Sequence, residues 1–146
     1  MNLGPHMERT VLIKNQLAEI KALKEKHGIK SDKLKKSNDI LDVVIIASGS
    51  ISTSVMIIGL SSLNPILIAV GTGFGFISTF LGVINKTLDF QGKYLNHKNT
   101  ANCLSDLYRD CNIVLAKNGL STNDREHLQN DIAHRLSIIE NNSLPL

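Results

Sequence analysis

The sequence predicts an all-α membrane protein, in which a two-span helical hairpin lies between N-terminal and C-terminal cytoplasmic helices. The first observation is a charge-free stretch: Val43–Asn85 contains no Asp, Glu, Lys or Arg, although 20% of the chain is charged. The second is that apolar residues on both sides of this stretch recur at helical spacing. Because each helix of a small soluble domain needs a polar face, so long an uncharged run excludes a freely soluble enzyme.

Residues 8–42 are expected to form amphipathic helices, with Lys and Glu opposite an apolar stripe of Val11, Ile13, Leu17, Ile20 and Leu23. Gly28 is predicted to end the first of them, and Ser31 to cap a second that runs into the membrane. Residues 1–7 have no apolar core and are not a signal peptide; we expect a cloning remnant or a natural leader there.

The charge-free stretch is long enough for two spans, at about 43–60 and 65–85, since one span needs about 20 apolar residues. Asn64 is a good N-cap, and Pro65 suits the first position of the second helix. Lysines flank the pair of spans, and the turn carries no charge, so both termini are predicted to be cytoplasmic. The alternative is a buried hairpin in the core of a soluble complex.

Small residues mark both spans. In the second span they form one helix-packing and oligomer face, made of Gly71, Gly75, Ser78 and Gly82. On this interpretation, Gly75→Leu would abolish the assembly. In the first span a collar of hydroxyl groups is a candidate pore lining: Ser48, Ser50, Ser52, Thr53 and Ser54. The alternative is tight packing within one hairpin, where each hydroxyl bonds its own preceding turn.

Residues 86–146 are predicted to form a cytoplasmic helical hairpin. Its first helix, about 30 residues long and continuing from the second span, carries a juxtamembrane seam with heptad spacing: Phe90, Tyr94, His97, Ala101, Leu104, Tyr108, Cys111 and Leu115. Asn118-Gly119 should end it, and Ser121-Thr122-Asn123 with Glu126 should start a helix that folds back. The apolar stripe of that last helix is Leu128, Ile132, Leu136 and Ile139.

Reactive side chains are sparse. Cys103 and Cys111 have no second pair of metal ligands near them, and two thiols make no disulfide framework. His97 lies on the apolar seam, where we expect a hydrogen-bonded core histidine, and His127 and His134 are two helical turns apart, too far to share one ion unaided. The sequence therefore predicts no enzyme, no metal site, no cofactor and no nucleic-acid partner.

The order of parts resembles the SLATT family, the SMODS and SLOG-associating two-transmembrane effector domains, in a divergent stand-alone form. The resemblance covers about residues 30–146. It rests on Leu63-Asn64-Pro65 between the spans, the His97 region, Leu104–Asp110 in the long helix and Ile138–Pro145 at the end. It implies a cytoplasmic helical sensor coupled to a membrane hairpin, since bacterial members are thought to be pore-forming effectors of conflict systems, triggered by nucleotide signals.

Two functions follow as expectations. The first is a homo-oligomer in the lipid bilayer that forms or gates a pore through the second span and the seam. The second is a non-catalytic scaffold, for example in a viral or organelle membrane, whose polar helices recruit a cytoplasmic protein partner. The Ser48–Ser54 collar favours the pore, because an anchor does not need it. A third interpretation, a curvature-inducing hairpin within one leaflet, would leave the Ser61–Asn64 turn inaccessible from the far side.

Overall fold

The computed structural model describes residues 5–116 and 121–146, with side chains for all of them except residues 5–9 and Thr122. Four α-helices account for nearly all of these residues, and no strand occurs in them. The helices are α1 (Pro5–Ser61), α2 (Pro65–Leu88), α3 (Phe90–Leu115) and α4 (Thr122–Asn142). The all-α prediction is therefore confirmed for the described residues.

Helix α1 is continuous over 57 residues, so the predicted end at Gly28 and the new start at Ser31 are wrong. A glycine inside a helix costs only about 1 kcal/mol relative to alanine, which nearby packing offsets. The side chains of His27 and Ser31, on either side of Gly28, are both buried. The helix also begins at Pro5, inside the predicted leader, whose residues 1–4 lie outside the described part.

The turn between α1 and α2 lies where the sequence places it. Leu63 adopts a left-handed backbone conformation, with φ 51°. The Asn64 side-chain oxygen accepts hydrogen bonds from the amides of Ile66 at 3.0 Å and Leu67 at 3.4 Å. Pro65 occupies the first turn of α2, where its missing N–H leaves no unpaired donor. The predicted N-cap is thus confirmed.

Asp89 separates α2 from α3, so the predicted uninterrupted helix from the second span into the seam is wrong. Its backbone is left-handed, with φ 47° and ψ 49°. Its carboxylate oxygen Oδ1 accepts from the Gly92 amide at 3.1 Å, in the first turn of α3. A side chain at Gly92 would collide with this carboxylate. One short acidic residue therefore ends one helix and starts the next.

The chain forms two compact units, one from the residues up to Ser31 together with Tyr94–Leu146, the other from Asp32–Lys93. The first unit is a bundle of the N-terminal part of α1 with α3 and α4. Its buried apolar core takes residues from all three helices: Ile13, Leu17, Ile20, Leu104, Leu107, Cys111, Leu128 and Ile132. We call this unit the bundle. The second unit, which we call the hairpin, consists of the rest of α1 packed against α2.

Helix α4 begins with a capping box, although its acidic member is not the predicted Glu126. The Ser121 hydroxyl accepts from the Asp124 amide at 3.1 Å, and the Asp124 carboxylate accepts from the Ser121 amide at 3.0 Å. These hydrogen bonds hold the pKa of Asp124 below its usual value. Asp124 closes the box because Ser121, not Asn123, is the N-cap. The predicted end of α3 at Asn118-Gly119 lies outside the described residues.

Candidate functional site: the hairpin and the bundle core

The hairpin presents large apolar side chains outwards. Phe76 is 74% exposed and Ile66 is 72% exposed. Further exposed side chains lie on both helices: Ile46, Ile51, Ile57, Ile58, Leu60, Val70, Ile77, Phe80 and Val83. A helix that is apolar all round, yet not buried by its own protein, is typical of a membrane span. The apolar parts of α1 and α2 are long enough to cross a membrane.

Glycines let α1 and α2 approach closely. A Cβ added to Gly71 would lie 2.6 Å from Met56 Cγ and 2.9 Å from the Met56 amide nitrogen. One added to Gly59 would lie 2.8 Å from the Ile68 amide nitrogen. Real Cβ atoms do not come this close to backbone atoms, so a larger residue at either position would push the helices apart. Helix packing in lipid depends on such close contacts.

The predicted small face of α2 is largely used inside the chain. Gly75 faces the Ser52 hydroxyl, which would lie 3.0 Å from an added Cβ. The Ser78 hydroxyl donates to the Ile45 carbonyl of α1 at 3.0 Å. Only Gly82, of the four predicted residues, has open space beside it. Gly71, Gly75 and Ser78 therefore contact α1 of the same chain, and the expectation of a face that binds other copies stays a prediction.

The hydroxyl collar is divided between two sides of α1. Ser48 and Ser52 are buried; the Ser52 hydroxyl donates across to the Gly71 carbonyl at 2.7 Å, whereas that of Ser48 bonds the Val44 carbonyl at 2.8 Å. The other members are exposed: Ser50, Thr53 and Ser54. Ser50 and Thr53 donate to carbonyls one turn back in their own helix. The five side chains do not converge on one path within a single chain.

A groove runs beside the Ser52–Gly75 contact. It has a volume of ≈ 320 Å³ and opens to the surroundings of the hairpin. Residues of both helices line it: Ser52, Met56, Thr72, Gly75, Phe76 and Thr79. Thr72 and Thr79 belong to this surface but not to the predicted small face, although their spacing of seven residues places them on one helix face.

A network of polar side chains lies at the end of the hairpin that is flanked by charged residues. It was not predicted from the sequence. The Asp42 carboxylate accepts from the Asn38 side-chain amide at 2.7 Å and from the Asn85 side-chain amide at 2.9 Å. The second of these bonds ties α1 to α2. The carbonyl oxygen of the Asn85 side chain is buried without a partner. The sequence offered one indication of this contact: Asp42 directly precedes the charge-free stretch and Asn85 is its last residue, so an antiparallel hairpin brings them to the same end.

From Tyr94 onwards, the predicted seam on α3 lies in the bundle, where it packs against helices of the same chain. A role of the seam between copies stays a prediction. His97, Leu104 and Cys111 are buried, and the remaining seam residues are half-buried: Phe90, Tyr94, Ala101, Tyr108 and Leu115. Thr100 and Leu107 are also buried, and the heptad pattern missed them. Because α3 packs against two helices instead of one, its buried face is wider than an a/d seam.

The bundle core contains a pair of histidines. His27 Nδ1 and His97 Nδ1 lie 2.9 Å apart, and the two side chains are 4% and 2% exposed. The expected hydrogen-bonded core histidine is thus present, with a partner 70 residues away that spacing alone does not reveal. Burial lowers the pKa of His27, with a contribution from the Lys30 charge; burial and the charges of His27 and Lys30 lower the pKa of His97.

The two cysteines differ in environment. Cys103 is exposed, whereas Cys111 is buried, and burial raises the pKa of its thiol. Both are free thiols. Among the residues that the structure describes, no group of three or more His, Cys, Asp or Glu side chains is placed to hold a metal ion.

Comparison with known proteins gives no further guide to function. No family model matches the chain, and neither a curated protein nor a solved structure does. The resemblance to the SLATT family therefore stays a prediction.

Proposed function

We propose that this chain is an integral membrane protein, whose hairpin spans the bilayer twice and holds the bundle at the cytoplasmic surface. The observation that carries the proposal is the inverted packing of the hairpin. Its interior is made of glycine and serine, and its exterior of Ile, Leu, Val and Phe. Water would destabilise such a surface, whereas lipid matches it without further protein.

The polar features of the hairpin fit this arrangement. Most of its hydroxyl groups donate to backbone carbonyls, for example Ser52 to Gly71 and Thr72 to Ile68. Side-chain hydroxyls satisfied in this way are tolerated in lipid. Lysines flank the apolar stretch on the side of both termini, at Lys33, Lys35, Lys36 and Lys86, which favours a cytoplasmic position for the bundle.

Cysteine labelling from one side of sealed vesicles tests the topology. Cys103 reports on the bundle, and Leu63→Cys, at a turn residue that is 86% exposed, reports on the far side. An impermeant maleimide should label the two positions from opposite sides, and Cys103→Ser combined with Leu63→Cys separates the signals. Labelling of both from the same side would contradict two spans and support a hairpin confined to one leaflet.

A pore made by several copies is the second candidate. The observation that favours it is the exposed part of the collar, Ser50, Thr53 and Ser54, which an anchor does not need. Because Ser48 and Ser52 are buried, a path lined by hydroxyl groups has to form between chains and not inside one hairpin. The family resemblance is consistent with such an assembly.

Ion or dye flux from liposomes that contain the purified protein tests the pore. The informative variant changes Ser50, Thr53 and Ser54 together to Ala, Val and Ala, and the matched control is Thr87→Val, since Thr87 also bonds its own helix. Flux lost in the first and kept in the second would support the pore. If the wild-type chain inserts but the liposomes do not leak, the result would contradict the pore and support a hairpin that only anchors the bundle. Gly75→Leu is a poor control, because Gly75 packs against Ser52 within the chain.

A further inference from the structure

The histidine pair in the bundle has a geometry that depends on its protonation state. At 2.9 Å, the two Nδ1 atoms are at hydrogen-bonding distance, so one of them carries a hydrogen and the other accepts it. The accepting ring then carries its own hydrogen on Nε2. This arrangement requires that the accepting Nδ1 has a free lone pair, and therefore that the accepting histidine is neutral.

Protons can enter the pair at two places. A first proton can bind Nε2 of the donating ring and leave the Nδ1–H···Nδ1 bond intact. A second proton can bind only the accepting Nδ1, and two N–H groups then face each other across 2.9 Å. The doubly protonated pair is therefore incompatible with the packed geometry, and the rings have to separate.

The surroundings oppose even the first proton. Both rings are almost completely buried, in a unit whose core is mostly aliphatic and where the uncharged hydroxyl side chains of Ser31 and Thr100 are also buried. Lys30 on α1 is the charged side chain that acts on both rings. Its ammonium is held in place because it donates to the Pro145 carbonyl, after α4, at 2.9 Å. From α3 the facing titratable group is His97 itself, and the charge of His27 acts on it.

We propose that the His27–His97 pair is a proton-sensitive contact that opens the bundle when the solution around the bundle is acidified. The contact joins α1 to α3, and α1 continues without a break into the first span. Loss of the contact therefore releases α3 from the helix that also forms half of the hairpin. This inference concerns the bundle and does not depend on whether the hairpin is an anchor or part of a pore.

The direction of the pH dependence follows from linkage. When the bundle opens, both histidines regain ordinary values near 6.5, whereas in the closed bundle their pKa values are lower. The opened state thus binds more protons below pH 6.5, and the closed state loses stability as the pH falls from there towards the lowered values. Each histidine can raise the opening constant about tenfold per pH unit, and the two together about a hundredfold.

Hydrogen exchange on the full chain in detergent micelles tests the proposal. For the wild-type chain, we expect the opening constant of amides in α3 to rise about tenfold or more between pH 7.5 and pH 5.5. The double variant His27→Leu and His97→Leu should show little change over this range. The matched control is His127→Gln with His134→Gln, at exposed positions of α4, which should behave as the wild-type chain does.

An NMR titration of the wild-type histidines gives a second measurement that needs no variant to fold. The Cε1–H signals of His27 and His97 should still report neutral rings at pH 6.5. Ordinary titration of both rings near 6.5, or an opening constant that is independent of pH in the wild-type chain, would overturn the proposal. Full pH dependence of the opening constant in the double leucine variant would also overturn the proposal.

Discussion

The bundle and the hairpin are built from the same kind of helix, and α1 belongs to both, yet their packing is reversed. The bundle buries Ile, Leu and Cys side chains and exposes its charges. The hairpin buries glycine and serine between its helices and exposes large apolar side chains. In water the burial of apolar surface stabilises a fold, whereas in lipid close backbone contact and interhelical hydrogen bonds take its place.

The contrast between the two units bears on the interpretation of a small-residue face. A line of glycines in an apolar helix indicates close packing, but it does not indicate whether the partner helix belongs to the same chain. Here Gly71 and Gly75 of α2 pack against α1, the preceding helix of the same chain. Substitutions in the bundle should therefore act through lost apolar burial, and substitutions in the hairpin through lost close contact or hydrogen bonds between its helices.

Leu107→Ala in the bundle should have the largest effect, a loss of about 2–5 kcal/mol, because it leaves a cavity in a core that the chain packs from three helices. Leu107 is fully buried, whereas Leu95, on the same helix, is 44% exposed. Leu95→Ala is the matched control and should cost well under about 1 kcal/mol. Hydrogen exchange of α3 amides measures both. Equal effects of the two variants would contradict the buried face described for α3.

Gly71→Leu should separate the hairpin helices, at a cost of about 1–3 kcal/mol or more, because its side chain would overlap Met56. Gly73→Leu is the matched control on the same helix, since a Cβ there meets nothing within 4 Å. The measurement is hydrogen exchange of α1 and α2 amides in micelles. If Gly73→Leu alone disturbed the helices, the close approach would lie on another face of α2.

Ser52→Ala should weaken the hairpin by about 0.6 kcal/mol, the average found for hydrogen bonds between helices in a membrane protein, and by at most about 1.7 kcal/mol. The Ser52 hydroxyl bonds α2, whereas that of Ser50 bonds its own helix. Ser50→Ala should therefore change the thermal stability of the hairpin very little. A larger loss for Ser50→Ala than for Ser52→Ala would place the helix contact, or a contact with another copy, on the outer side of α1.

Thiol labelling should perturb the fold least, and it should show a clear difference in reaction rate between the two cysteines of the bundle. Cys103 is exposed, whereas Cys111 is buried with a raised pKa, so less of it is thiolate at any given pH. At pH 8 iodoacetamide should modify Cys103 rapidly and Cys111 only when the bundle opens. Mass spectrometry of the labelled chain, with Cys103→Ser as the control, checks this. Comparable rates at the two positions would contradict a closed core around α3.

Local signals accounted for much of the hairpin. The charge-free stretch predicted two apolar helices, and Asn64-Pro65 predicted the start of α2, because capping depends on neighbouring residues only. Gly28 shows the limit of the same reasoning, since its local preference to end a helix is weaker than the packing of His27 and Ser31 on either side. Asp89 shows the converse: a single left-handed residue divides α2 from α3, and the heptad spacing, which begins at Phe90, does not reveal this break.

The helical class, the two apolar helices and the turn between them could be predicted from the sequence, since they follow from composition, periodicity and capping over a few residues. Which helix faces contact each other became visible in the three-dimensional structure. It paired the small face of α2 with α1, enclosed the seam of α3 in the bundle, and brought His27 to His97 and Asp42 to Asn85. The reason is physical: one helical pattern fits a partner in the same chain or in another, and the three-dimensional contacts alone distinguish them.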